Sequence, residues 1–393
     1  MESLKRNRVE SIDVLRGLVM IIMALDHVRD YFHIGANTGD PLDLNTTTPF
    51  LFFTRWITHF CAPVFVFLSG ASIYLQSLRK TKKELSLFLI KRGLWLMFVE
   101  VAIVTFGWSF DFQYHTLFLQ VIWAIGISMF ILGLLIHLPF KVFVLLGALI
   151  VLLHNVLDFP EAVPGYKGGF FLDLIHSARF AFYPYITNHA IIIAYPFLPW
   201  TGLMIMGYGF GKIMELPDRK KRLNRMGIAL IILFVLLRFS NLYGDPLDWN
   251  VQRNAFYTFL SFINVHKYPP SLLYMCITIG PALLFLSFID QIKNKVTDVL
   301  KIYGRVAMFY YLLHLYLIHV LCMIDYLIRG NNLLDAYSKP LTTPFYFLTA
   351  GVGYNLPVVY AIWLFVILLL YPLCKWYDRY KTNHKEKWWL NYL

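Results

Sequence analysis

Long apolar runs, separated by short segments that contain Pro, Gly and charged residues, recur along the whole sequence. A helix needs roughly 20 residues to cross the hydrocarbon core of a bilayer, and most of these runs are about that long or longer. The pattern therefore predicts an all-α fold, a polytopic bundle of about ten transmembrane helices. The predicted spans are 12–33, 50–76, 85–107, 115–136, 139–157, 189–214, 226–243, 268–290, 304–328 and 343–374.

The composition agrees with a membrane protein. Hydrophobic residues make up 58% of the 393 positions and charged residues 15%, whereas about a quarter of the residues in an average soluble protein are charged. Because the polar segments are short, we expect residues 1–393 to form a single integral-membrane domain without a separate soluble domain. Any chemistry should then take place within or beside the membrane.

The net charge of +12 comes from basic residues that are concentrated in alternate loops, so it indicates membrane topology and not nucleic-acid binding. The favoured loops include Lys5, Arg6, Arg8, Lys80, Lys83, Lys220, Arg222, Lys293, Lys295, Arg379 and Lys381. The opposite loops contain Lys167, Arg179, Arg253, Lys267, Arg329 and Lys339. By the positive-inside rule, both termini are predicted to be cytoplasmic, and the loops 158–188 and 244–267 to lie on the outer side.

The first predicted helix contains charged residues that lipid does not accommodate, since a charge at a helix centre costs about 2.5–3.5 kcal/mol. Arg16 and His27 are eleven positions apart, and at about 100° per residue they fall on the same helix face. Asp26 and Asp30 lie beside His27. This polar stripe should face the bundle interior or a water-filled cavity, and it favours a retained helix over a cleaved signal peptide.

A histidine with a neighbouring carboxylate is typical of a general base, so His27 is the main catalytic candidate and Asp26 or Asp30 would orient its ring. Arg16 would bind a phosphate group through its guanidinium. For Arg16 the alternative is that the side chain reaches lipid phosphates at the membrane surface. For His27 the alternative is a hydrogen-bonded interior histidine.

Two further helices carry candidates. Arg55 and His59 are four residues apart and share a helix face at a depth comparable with His27. Tyr311 and His314 share a face of the predicted span 304–328, and a structural hydrogen bond is an equal alternative for His314. Arg55, His59 or Tyr311 would stabilise negative charge that develops on a reacting carbonyl oxygen. The oxyanion or substrate candidates are Arg55, Tyr311, His314 and Lys267.

No metal site is expected from the sequence. His27, His33 and His59 lack a spacing such as H-E-x-x-H that places metal ligands together. The cysteines form no C-x-x-C pair, and they indicate neither a disulfide nor a metal site. All of them fall in apolar segments: Cys61, Cys276, Cys322 and Cys374.

Three segments in one order identify a family resemblance: SIDVLRG at 11–17, FVFLSG at 65–70 and KYPPSLLY at 267–274. Together they resemble the bacterial relatives of heparan-alpha-glucosaminide N-acetyltransferase, with a likeness that extends over nearly the full chain. Arg16, Gly17 and His27 are also similar to the pattern that opens the membrane acyltransferases that acetylate bacterial surface sugars.

The resemblance implies an enzyme of the bacterial inner membrane that takes an acetyl group from cytoplasmic acetyl-CoA. The acceptor would be an amine or hydroxyl of a glycan or glycolipid on the outer side. The resemblance also implies essential roles for Arg16 and His27, and we expect Lys91 and Arg92 to assist Arg16 in binding the CoA phosphates. Whether the enzyme forms a homodimer is left open.

The resemblance leaves the identity of the catalytic histidine open. In the heparan enzyme the position that matches His27 is Asn, and the catalytic histidine lies further along the chain. The next histidine here is His33, so His27, His33 or both are candidates. The histidine would deprotonate the acceptor or carry the acetyl group itself in a covalent relay.

A transporter or lipid flippase is the alternative function, because a polar stripe through a helix bundle also describes a substrate pathway. The sequence shows no internal repeat of the kind found in many transporters, which favours the acyltransferase. A purely structural scaffold would not explain the cost of so many intramembrane charges.

Overall fold

The computed structural model describes residues 9–36, 38–163, 166, 168–177, 180–338, 344–349 and 351–391. The basic residues Lys5, Arg6, Arg8, Lys167, Arg179 and Lys339, which entered the prediction of topology, lie outside the described residues. The long helices are α1 Glu10–Phe32, α2 Pro49–Ser77, α3 Lys82–Val99, α4 Val121–Leu135, α5 Phe140–Leu153, α6 Phe197–Gly211, α7 Arg219–Ser240, α8 Leu272–Ile289, α9 Ala307–Ile328 and α10 Leu356–Asn383.

Six helices in the described part of the chain are long and apolar enough to cross a membrane. They are α2, α5 together with the turns that extend it to Glu161, α7, α8, α9 and α10. Helix α4 is apolar but shorter. A multi-pass helical bundle is therefore confirmed, while the total of ten spans and the location of the termini stay predictions.

A small sheet accompanies the helices. Its strands are β1 Thr116–Leu119, β2 Ala181–Ile186 and β3 His189–Ile193, in the order β1-β3-β2, with β1 parallel and β2 antiparallel to β3. The predicted spans 115–136 and 189–214 wrongly included β1 and β3 as helix. A short apolar run rich in β-branched and aromatic residues cannot be distinguished from a buried helix by hydrophobicity alone. Helices α4 and α6 therefore begin only after these strands.

Other boundaries also differ from the prediction. Helix α2 contains a 3₁₀ turn at Thr58–Phe60, and α3 continues through a π-helical turn, Glu100–Val104, into a short helix, Thr105–Ser109. The predicted span 304–328 is divided at Val306, which lies between the separate helix Lys295–Arg305 and α9. Helix α10 begins at Leu356, not near 343.

Helix α1 lies in the interior of the bundle. It packs against the second half of α2, against α9 and α10, and against the helix Lys295–Arg305. Asp13, Asp26 and Arg29 of this helix are all buried. The neighbouring helices thus keep the charged residues of α1 away from lipid, as their desolvation cost requires.

The backbones of α1 and the helix Lys295–Arg305 touch at Gly17 and Gly304. A Cβ atom added to Gly17 would lie 1.9 Å from the carbonyl oxygen of Leu300, and one added to Gly304 would lie 1.9 Å from that of Asp13. Small residues allow helices in membranes to approach this closely. The crossing brings the Arg16 guanidinium within 3.5 Å of the Gly304 carbonyl oxygen.

Candidate active site

A cavity of about 330 Å³ opens beside Arg16. Arg16, Met20 and Met23 line it from successive turns of α1, and Met308 and Tyr311 line it from α9. The wall therefore changes from cationic to apolar toward the end of α1 that carries His27. The basic residues of the lining come from four helices: Arg16, Arg92, Arg305 and Lys381.

The cationic end of this cavity contains fewer acids than bases. Arg16 donates to Ser72 Oγ at 2.9 Å and to Asp13 Oδ1 at 3.3 Å. Arg305 Nη1 donates to Asp378 Oδ2 at 3.4 Å. Guanidinium groups with donors in a planar fork are suited to phosphate. The lining thus fits a ligand with a phosphorylated end and a narrow apolar arm.

Arg92 lines the cavity as expected, whereas Lys91 is exposed and is not part of the lining. The two side chains diverge because consecutive residues of a helix point about 100° apart. Arg305 and Lys381 were not predicted from the sequence as members of the site. Their contribution depends on the positions of two helices that are distant from Arg16 in the sequence.

His27 lies just beyond the apolar end of this cavity. It is one turn along α1 from Met23 and retains 9% exposure. Its ring meets the Trp108 ring edge-on with centroids 4.7 Å apart, and the Tyr311 ring lies 6.4 Å away. Aromatic rings therefore restrict the space around the His27 imidazole and exclude bulk water from it.

The hydrogen bonds around His27 define its tautomer. His314 Nδ1 lies 2.9 Å from the Tyr310 carbonyl oxygen, which can only accept, so Nδ1 of His314 carries the proton. In a neutral ring, His314 Nε2 is then an acceptor, and His27 Nδ1, 2.8 Å away, donates to it. The Nε2 lone pair of His27 stays available, and we find no hydrogen-bond partner for it among the described residues.

The acidic residues of α1 form a separate ion-pair cluster. Asp26 pairs with Arg29 at 2.9 Å and with Arg55 of α2, and Asp30 pairs with Arg29 at 2.6 Å. The hydrogen bond that orients His27 thus comes from His314, and not from Asp26 or Asp30 as expected. The reason is helical geometry, because Asp26 and His27 point about 100° apart and meet different helices.

The remaining candidates lie around this cluster or at the end of α1. His59 is buried, and its Nδ1 atom has no hydrogen-bond partner among the described residues. Lys267 is buried, with its ammonium 5.0 Å from the centre of the Tyr268 ring. His33 lies directly after α1 and accepts a hydrogen bond from the Gly35 amide at 3.0 Å. Neither of these two contacts involves His27.

A second cavity, of about 300 Å³, lies beyond the other side of His27. Tyr31, one turn after His27 on α1, lines it, and its hydroxyl donates to the Trp108 carbonyl oxygen at 2.6 Å. Along α9, Tyr311 lines the first cavity, Cys322 lines the second, and His314 lies between them. The polar lining of the second cavity includes Asp325, Arg329, Asn331 and Thr349.

Along α1, His27 therefore lies between Met23, which lines the first cavity, and Tyr31, which lines the second, and Trp108 packs against both His27 and Tyr31. Neither Trp108 nor the second cavity was predicted from the sequence. No pattern marks this tryptophan, because its place beside His27 follows from the π-helical turn Glu100–Val104 and the short helix after it.

A family model described as heparan-alpha-glucosaminide N-acetyltransferase, catalytic, matches residues 8–241, which is more than half of the chain. The match includes Arg16, His27 and Arg55 but ends before KYPPSLLY and before His314. No curated protein matches the chain. On the basis of the matched residues, the chain belongs to the heparan-alpha-glucosaminide N-acetyltransferase catalytic family, a family of membrane acetyltransferases.

Proposed function

We propose that this protein transfers an acetyl group from acetyl-CoA to an amine or hydroxyl of a glycan or glycolipid, with His27 as the catalytic base. The observation that carries the proposal is the position of His27 between two cavities, of which one is cationic at its far end. The family supports acetyl transfer. The donor and the acceptor follow from the family resemblance, which the linings of the two cavities support, and the dependence on histidine is inferred from the position of His27.

The first cavity suits acetyl-CoA. Arg16, Arg92, Arg305 and Lys381 would bind the phosphates through charge-assisted hydrogen bonds. The apolar wall formed by residues such as Met20 would enclose the narrow pantetheine arm. When bound, acetyl-CoA supplies the acetyl group as an activated thioester near Tyr311 and His27.

His27 Nε2 has the free lone pair that accepts a proton from the attacking amine or hydroxyl. The new bond joins the acceptor nitrogen or oxygen to the acetyl carbon, the carbon–sulfur bond breaks, and the proton on His27 passes to the departing sulfur. His314 holds the His27 ring in the required tautomer. The Tyr311 hydroxyl is proposed to donate a hydrogen bond to the acetyl oxygen as negative charge develops there. The same lone pair would be the nucleophile in a covalent relay.

The second cavity suits the acceptor, because carboxylate, guanidinium and amide groups form hydrogen bonds with sugar hydroxyls and amines. Asp325, Arg329 and Asn331 supply these groups. With the cytoplasmic termini that the basic loops favour, this cavity faces the outer side of a bacterial inner membrane. The acceptor and the donor would then meet at His27 from opposite sides.

The test uses the full chain purified in detergent, incubated with acetyl-CoA and a panel of amino sugars and neutral sugars. Release of free CoA thiol should depend on the acceptor. Mass spectrometry should find a product that is about 42 Da heavier than the acceptor, because one acetyl group replaces one hydrogen. In vesicles, sugar movement that needs no acetyl-CoA, together with no thiol release for any acceptor, would refute acetyl transfer and favour the transporter.

A further inference from the structure

A second group of buried ionisable side chains lies at the end of α5, away from His27. His154 and Asn155 belong to the 3₁₀ turn His154–Leu157 that follows α5. Asp158 and Glu161 begin and end the next short helix, and His176 lies in the π-helical turn Asp173–Ser177. The two halves of the group are therefore contributed by separate turns of the polypeptide.

Three of these side chains are close enough to share one ion. One potential ligand atom from each of Asp158, Glu161 and His176 lies within 4.8 Å of the other two. Glu161 Oε1 and His176 Nδ1 are 2.8 Å apart, and these side chains are only 6% and 1% exposed. Asp158 is 7% exposed. The group is thus enclosed, unlike a chance cluster of acids on a surface.

The group also has unsatisfied acceptors. Asp158 Oδ2 accepts a hydrogen bond from Asn155 at 2.6 Å, but Asp158 Oδ1 and Glu161 Oε2 have no partner among the described residues. A buried carboxylate oxygen without a partner is costly, because water no longer solvates it. No Lys or Arg forms an ion pair with Asp158 or Glu161 within the described part of the chain. A cation held between these side chains would offer such oxygens a partner.

We propose that Asp158, Glu161 and His176 bind a divalent transition-metal ion of the Zn²⁺ class. One imidazole and two carboxylates form a ligand set that such ions accept. His176 Nε2 lies 3.1 Å from His154 Nδ1, and a metal-binding histidine commonly forms a hydrogen bond through its other ring nitrogen. The ion would fasten the turn Asp173–Ser177 to the end of α5.

No metal site was expected from the sequence, because these ligands do not form a compact motif. Here Asp158 and Glu161 share one short helix, and His176 reaches them from the later turn Asp173–Ser177. The inference is independent of acetyl transfer, since neither cavity beside His27 includes these residues.

The test begins with the full chain purified through a tag without histidines, stripped with a chelator, loaded with Zn²⁺ and desalted. Mass-spectrometric metal analysis should find about one Zn²⁺ per chain, as expected for one closed site, and the thermal midpoint should rise when the ion is returned. H176Q and the double variant D158N/E161Q should each bind Zn²⁺ at least about tenfold more weakly, since each removes ligands from the coordination shell.

His189→Gln and Asp248→Asn are the matched controls. They remove a partly exposed histidine and an exposed acid outside the proposed site, so both variants should keep full Zn²⁺ content. Equal Zn²⁺ in the wild type and in H176Q would show adventitious binding and overturn the proposal. If the variants aggregate, the wild type decides alone. The absence of both Zn²⁺ uptake and a Zn²⁺-dependent change in its thermal midpoint would equally refute the site.

Discussion

His27 Nδ1 and His314 Nε2 lie 2.8 Å apart although 287 positions separate the two residues in the chain. The second ring nitrogen of His314 donates to the Tyr310 carbonyl oxygen of its own helix, which directs the acceptor nitrogen of His314 at His27. A histidine of α9 thus determines which nitrogen of a histidine of α1 is free to accept a proton.

Substitution of His27 by Ala should strongly reduce acetyl transfer, because the Nε2 lone pair is proposed to take the proton of the acceptor. A general base contributes about 10²–10⁴-fold to the rate, so thiol release should fall by roughly that factor. Binding of CoA, measured by calorimetry, should stay near the wild-type value because His27 does not line the cationic cavity.

His33→Ala is the control for His27→Ala. His33 lies after the end of α1, about 9 Å along the helix axis from His27 at 1.5 Å per residue. The His33→Ala variant should therefore lose little activity. Full activity in His27→Ala with loss in His33→Ala would instead make His33 the catalytic residue.

Substitution of His314 should reduce turnover through the orientation of His27. His314→Ala removes the acceptor, and loss of a buried hydrogen bond of about 1–3 kcal/mol corresponds to roughly 5- to 150-fold in kcat. His314→Gln keeps an acceptor oxygen and should recover part of this loss. The KM for acetyl-CoA should change little in either variant. Equal kcat in all three proteins would show that the histidine contact has no catalytic role.

Arg92 and Lys91 allow a matched comparison, because these neighbouring basic residues differ in that only Arg92 lines the cavity. Arg92→Ala should weaken CoA binding by roughly 10-fold, as expected for the loss of a charge-assisted hydrogen bond of about 1.5 kcal/mol. Lys91→Ala should leave the affinity unchanged. A comparison of the affinities of CoA and dephospho-CoA for both variants, measured by calorimetry, would show which phosphate Arg92 contacts. A larger loss of CoA affinity in Lys91→Ala than in Arg92→Ala would contradict the placement of the donor in this cavity.

Gly304→Ala should destabilise the protein and weaken donor binding together. The added methyl group would meet the Asp13 carbonyl at 1.9 Å, so α1 and the helix Lys295–Arg305 must separate. Overpacking of this kind costs about 1–3 kcal/mol, which should lower the thermal midpoint. Gly39→Ala is the control, because nothing lies within 4 Å of its Cβ position. Unchanged CoA affinity in a destabilised Gly304→Ala protein would separate the crossing from the donor site.

Sidedness can be tested at the two ends of α7. Lys220 lies near its start and Asp248 follows its end, and both residues are exposed. A cysteine at position 248 should react with a membrane-impermeant thiol reagent in intact cells, whereas one at position 220 should react only after permeabilisation. The four native cysteines are buried, so background labelling should be low. The opposite result would invert the topology and place the cationic cavity on the outer side.

The sequence by itself determined the class of the protein and several members of the site. The apolar runs require a membrane, because helices this long and this apolar carry more hydrocarbon surface than the core of a soluble protein could bury. The charges of α1 require an interior position, and the periodicity of the helix places Arg16 and His27 on one face. These conclusions depend only on local geometry and on the cost of desolvation.

Only the tertiary structure decided which residues meet. His314, Trp108 and Arg305 are distant from His27 and Arg16 in sequence, and packing between helices brings them together, with close contact at Gly17 and Gly304. Asp26 has the right chemistry to orient His27, but Arg29 and Arg55 pair with it instead. A sequence fixes the direction of a side chain on its own helix, whereas its partner depends on which neighbouring helix occupies that side.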